Sequence, residues 1–271
     1  MANSPSNPFI KQLAANDRPT RDRAVSSLRT YLKRSTPFSD LELLKLWKGL
    51  FYCVWMSDRP RTQQRLAADL SSLLSILAPA NFLGFVRAFW RTMTREWAGI
   101  DSLRMDKFLF LVRCYVREAF AYLARRGWGD EEARKGYLHL LAEGPLNPKD
   151  PKVPGGLRYH VVDVFVEELD KVDVERNAPV EKLVSPLRRI AKEGLTKALR
   201  KKAEEALDDG RLEDWQNAHN GEEEEDDDEE DGDEVPKHET ETTLTNDGDH
   251  KHETGGLEGL EDGDEFEGFD D

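Results

Sequence analysis

Asp101, Arg104, Asp106 and Lys107 are the closest this sequence comes to an acid–base set. Two carboxylates beside an ammonium and a guanidinium are the residue types that general acid–base or metal-assisted hydrolysis uses. They sit at the start of a strongly apolar stretch, however, where such residues usually serve as helix caps and ion pairs, and that reading is favoured. Among the six histidines, only His139 and His160 lie well inside the apolar part of the chain, at positions expected on partly exposed helix faces. The sequence has no GxxxxGK[ST], no GxGxxG after a strand, no GxSxG and no HExxH. Cys53 and Cys114 stand in apolar stretches without C-x-x-C spacing, which predicts buried free thiols in a reducing compartment. No catalytic residue, metal, cofactor or small-molecule substrate is expected.

The basic residues carry more. Arg87, Arg91 and Arg95 recur every fourth position and share one helix face. Three guanidiniums in line suit a phosphate backbone; the alternative is an ordinary solvated face. A second basic run comprises Arg188, Arg189, Lys192, Lys197, Arg200, Lys201 and Lys202 against a lone Glu193. It could bind RNA, bind the chain's own acidic end, or act as a nuclear localisation element. No aromatic-interleaved RNA-recognition pattern accompanies it, so sequence-specific base reading is not expected.

Charge divides the 271 residues unevenly. Residues 1–220 hold 37 Lys and Arg against 29 Asp and Glu, whereas 221–271 hold 2 against 25, including ten consecutive acids from Glu222 to Asp231. The overall charge of −15 therefore describes neither part. After Gly221 the only large apolar residues are Val235, Leu244, Leu257, Leu260, Phe266 and Phe269. So few cannot offset an ordering cost of roughly 1–2 kcal/mol per residue. The expected organisation is a helical domain over 1–215 and a disordered acidic tail over 216–271. The tail is either a solubilising appendage or a polyanion that docks basic proteins. Lys-His-Glu-Thr at 237–240 and 251–254 reads as low complexity. The first residues lack a signal-peptide pattern, and apolar runs such as Leu50–Met56 fall far short of the roughly 20 residues a membrane span needs. A soluble intracellular protein with no membrane partner is expected.

Helical periodicity organises the rest. A short helix is expected near residues 8–15, then one opening at Pro19 and ending by Ser35-Thr36-Pro37. Ser39 or Asp40 caps the next, in which Leu43, Trp47, Leu50, Phe51 and Val54 form one stripe. Ser57-Asp58-Arg59-Pro60 stops it and starts a helix bearing Leu66, Leu70, Leu73, Leu74 and Leu77. Pro79 opens a helix whose apolar face carries Phe82, Phe85, Val86, Phe89, Trp90, Met93 and Trp97. Leu103–Arg126 is apolar on most sides and should be covered on both flanks. Further helices are expected over 130–143 and 157–172, with a Pro- and Gly-rich loop between them, and a last one over 178–207, kinked at Pro186. No strand pair is evident. The fold class is all-α, an irregular HEAT-like α-solenoid or a helical bundle.

Three ordered blocks then resemble a known family. The first is Leu46–Pro60, LWKGLFYCVWMSDRP, which includes Trp47, Trp55 and Asp58. The second joins Phe89–Met93 (with Trp90), Arg95–Asp101 (with Trp97) and Arg104–Phe108. The third is Gly156–His160 followed by Asp163–Val172. Together they resemble the ribosomal RNA-processing protein 1 family, also called the nucleolar protein 52 family, over about residues 7–205. The resemblance implies a non-enzymatic factor of the nucleus and nucleolus. Its implied partners are early large-subunit ribosomal precursor particles and other assembly factors, with rRNA itself a further candidate. It supplies no catalytic residue. The competing expectation, from the acidic end, is a chaperone for histones or ribosomal proteins; a nuclease would need a carboxylate cluster that the sequence does not show.

Overall fold

The computed structural model describes residues 12–13, 15 and 17–225, with side chains to residue 218. All of them belong to one unit, residues 1–228. The described elements are α1 (Arg18–Leu32), α2 (Asp40–Trp55), α3 (Pro60–Ser71), α4 (Pro79–Glu96), α5 (Ser102–Ala124), α6 (Glu131–Glu143), α7 (Gly155–Val172), α8 (Val180–Leu183), α9 (Ser185–Glu193), α10 (Lys197–Leu207) and α11 (Arg211–Glu225). A 3-10 segment, Ser72–Ile76, extends α3, and another, Trp97–Gly99, follows α4. The described residues contain no strand, and none of their helices is long and apolar enough to cross a membrane.

Side-chain caps account for five of the helix starts. Asp17 Oδ2 accepts the Thr20 amide at 3.0 Å and caps α1. Ser39 and Glu42 make a reciprocal capping box on α2, each side chain bonded to the other's backbone. Asp101, Asp130 and Thr196 cap α5, α6 and α10, each by a single bond from the amide three residues on. Each cap satisfies an amide that the first turn leaves without an acceptor.

From α2 to α7, helices two apart in sequence pack most extensively, whereas α9 and α10 pack chiefly on each other. Helices α2, α4 and α6 form one row; α3, α5, α7 and α10 form the other. This alternation is the stacking of an α-solenoid. Aromatic side chains lock the rows together. Trp47 of α2 lies 4.9–5.3 Å from the rings of Phe85, Phe89 and Tyr115. Phe82 of α4 stacks on Tyr122 of α5, and Phe120 of α5 meets Tyr137 of α6 edge-on. As its all-round apolarity predicts, α5 is covered on both flanks, by α3 and by α7.

Two expectations need correction. Residues 178–207 are not one kinked helix but three. Pro186 cannot donate its amide, and the chain resets at Val184 before α9. At Gly194 a Cβ would lie 2.7 Å from the Ile190 carbonyl oxygen, so the residue that ends α9 must be glycine. Thr196 then caps a new start. Helix α11 was not anticipated, and it crosses the boundary expected at 215/216. Of the helix expected near 8–15 only residues 12, 13 and 15 are described, 12 and 13 of them helical, and the acidic segment from 226 onward lies outside the described residues.

Candidate partner-docking surface

The possible acid–base set proves to be an anchor. Asp101 accepts the Arg104 amide at 3.0 Å and pairs with its guanidinium, which lies 4.8 Å above the Trp55 ring. Lys107 is buried and donates to the carbonyls of Trp55 and Ser57, both at 2.7 Å. Burial lowers its pKa from the usual lysine value, with the neighbouring Arg104 charge adding to the effect. Asp58 and Asp106 are exposed. Arg104 and Lys107 therefore tie the start of α5 to the end of α2. The described residues contain no cluster of three or more His, Cys, Asp or Glu arranged to hold a metal ion. Cys53 and Cys114 are buried free thiols, pushed by burial to pKa values of about 12 and about 11. His139 is exposed, while His160 bonds the Leu109 carbonyl at 2.8 Å.

Arg87, Arg91 and Arg95 emerge half-exposed from α4, and they border a groove of about 730 Å³. Its walls are α4, the end of α6 and the loop before α7, with Leu44 from α2. Leu44, Trp90, Leu140, Val153 and Pro154 give it an apolar lining, and Lys152 adds a fourth cation at the rim. The stripe is partly neutralised. Arg87 and Arg91 share Asp40, at 3.6 and 3.9 Å, and Arg95 pairs with Glu96 at 2.7 Å. Glu143 and Asp150 complete the mixed rim. Trp90 is buried, with its indole nitrogen unbonded. Trp97 is buried as well, and a Cβ on Gly156 of α7 would come within 3.3 Å of its Nε1.

The second basic run is divided between α9 and α10. Arg188 pairs with Glu181, and Arg189 reaches Glu143 at 3.0 Å. Lys202 pairs with Asp163, Lys201 with Glu205 at 3.1 Å, and Arg200 donates to the Gly194 carbonyl at 2.7 Å. Lys192 and Lys197 are exposed. Most of the run is thus spent on fixing neighbouring helices.

Two buried carboxylates were not singled out from the sequence. Glu168 of α7 is fully buried and gathers Arg113 and Arg117 of α5 with Lys171. Hydrogen bonding to Glu168 raises the Arg113 pKa. Asp173 accepts from Trp128 Nε1 at 3.2 Å, Trp215 Nε1 at 2.6 Å and the Ala178 amide at 2.7 Å. Trp128 adopts a left-handed backbone, φ 60°, uncommon outside glycine, and its buried indole bond to Asp173 helps hold it there. Arg176 lies 4.2 Å over the Trp215 ring and pairs with Asp170 at 2.6 Å. Trp215 is the anchor that seats α11.

Two interlocked rows of helices, with their charged side chains largely spent on fixing one another, define an all-α protein of the solenoid type. Comparison with known proteins gives the family. The model of the nucleolar protein Nop52 family matches residues 4–257. The chain belongs to that family. It is 43% identical over 172 residues to human ribosomal RNA processing protein 1 homolog B, covering 60% of this chain and 22% of that protein. Against human homolog A it is 41% identical over 192 residues, 68% of this chain and 41% of the relative. The Drosophila melanogaster homolog is 36% identical over 173 residues, 60% of this chain and 24% of the relative. The chain thus matches well under half the length of each.

Proposed function

We propose that this chain is a non-enzymatic nucleolar factor of ribosome biogenesis, a scaffold within early large-subunit precursors that precursor-rRNA processing requires. The observation that carries this reading is the family match across residues 4–257, whose curated relatives are named for ribosomal RNA processing. The anchoring roles of Lys107, Glu168 and Asp173 agree with a scaffold, since each holds helices together. The docking surface we assign is the groove along Arg87, Arg91 and Arg95. Its apolar floor suits the side chains of another assembly factor, and its arginine edge suits acidic residues on the same segment. The basic run over α9 and α10 is a further candidate contact, with Lys192 and Lys197 exposed.

Conditional depletion with complementation tests the reading. Depletion should cause unprocessed precursor rRNA to accumulate, and the chain should co-sediment with large-subunit precursors. Normal rRNA processing after complete depletion would remove the proposal. An Arg87→Glu/Arg91→Glu/Arg95→Glu variant should leave the precursor fractions while keeping its helicity and melting. Undiminished co-sedimentation of that variant would remove the groove from the account and leave the family-level function standing.

A further inference from the structure

We propose that Arg18, Arg59, Arg61 and Arg65 form a second site, one that binds the sugar–phosphate backbone of RNA. It is built from α1 and α3, apart from the stripe and the basic run, and does not rest on the function proposed above.

The four arginines line one open concavity of about 670 Å³ together with Pro60 and Thr62. Arg18 opens α1; the other three come from the residue before α3 and its first turns. Among the described residues, neither Arg59 nor Arg61 has an ion-pair or side-chain hydrogen-bond partner, and both are exposed. Arg18 and Arg65 are steadied from outside by Asp22 at 3.4 Å and Asp69 at 3.8 Å. Four cationic side chains around one hollow raise its positive potential, and an anion seated among them lowers it. A second feature points the same way. No side chain caps the first turn of α3, so the positive end of its dipole is left without a side-chain acceptor.

The lining selects the kind of anion. Apart from Pro60 the concavity offers no apolar side chain. A polypeptide would find only Pro60 and the arginine stems to bury against, in contrast to the Trp90 groove. Guanidiniums make paired hydrogen bonds to phosphate oxygens, and several in one hollow suit successive phosphates of a strand. With no aromatic platform among them, they read the backbone and not the bases.

The test is fluorescence anisotropy of the full chain with a fluorescein-labelled 20-nucleotide oligouridylate, titrated at salt concentrations from about 50 to 200 mM. Each neutralised phosphate of a single strand contributes about 0.7 to the slope of log affinity against log salt. Arg59→Gln/Arg61→Gln/Arg65→Gln should therefore flatten the slope by about 2 and weaken binding about 100-fold at 0.1 M salt. Unchanged affinity and slope would overturn the site. So would an equal loss in Lys192→Gln/Lys197→Gln/Lys201→Gln, which would mean that binding follows overall charge. Polyglutamate competing as well as unlabelled oligouridylate would also overturn it, in favour of an acidic protein. If the triple variant melts early, the single Arg61→Gln variant decides, with an expected slope change of about 0.7. The titration contains no precursor particle, so RNA binding and rRNA processing can fail independently.

Discussion

Replacing Asp173 with asparagine removes one charge and changes almost nothing in shape. The carboxylate accepts three donors, two of them on Oδ2, from Trp215 and the Ala178 amide, and one on Oδ1, from Trp128. An asparagine keeps one acceptor oxygen. Turned to serve Trp215 and Ala178, it presents its NH2 group to the Trp128 indole N–H, donor against donor. Stranding that buried donor costs about 1–3 kcal/mol. The two surviving bonds lose their charge assistance, about 1 kcal/mol each. The expected penalty is about 3–5 kcal/mol on the docking of α11 and of the α5–α6 corner. Because α11 is terminal among the described helices, the loss should appear first as local opening. Hydrogen exchange of the Arg211–Glu225 amides should speed up by two to almost four orders of magnitude, limited only by the rate of an open chain. Exchange within threefold of the unsubstituted protein would refute the argument that Asp173 seats this helix.

Two further substitutions test other parts of the framework. Lys107→Met strands the Trp55 and Ser57 carbonyls and should lower stability by about 2–4 kcal/mol in urea unfolding, allowing for relief of the buried charge; an unshifted midpoint would contradict its anchoring role. His160 has a pKa lowered from 6.5, chiefly by burial. The unfolded chain therefore takes up this proton at a higher pH than the folded one, and stability should fall as pH drops through 6.5 towards the depressed folded value. His160→Gln should flatten that window; an unaltered pH profile would show that His160 does not produce it.

Sequence alone made legible whatever depends on near neighbours. The cap expected at Ser39 or Asp40, the Pro79 start and the stripe through Trp47 and Val54 are encoded within a few turns, and the structure shows each, with Ser39 as the cap. The break at Gly194 was readable in principle from glycine followed by Thr196, but the surrounding Leu, Ala and Lys residues continue a helical pattern through it. Long-range pairings were not legible. Trp215 lies in a stretch rich in acidic residues, and its partners Asp173 and Arg176, 42 and 39 positions earlier, could not be read from it. Lys107 was expected in a cap or ion pair, but its partners, main-chain carbonyls 50 and 52 positions away, were not legible. The groove likewise draws its walls from α2, α4, α6 and the loop at 150–154, so the stripe foretold only one side of it.

Burial of the two thiols bears on how this protein meets an oxidising or alkylating environment. With pKa values of about 12 and about 11, Cys53 and Cys114 exist as thiolates at neutral pH in roughly one molecule in ten thousand or fewer. Peroxide and electrophiles attack the thiolate, so a closed molecule gives them almost no target. Sulfur chemistry on this chain accordingly records departures from the closed state, and a labelled cysteine marks a molecule that has come apart.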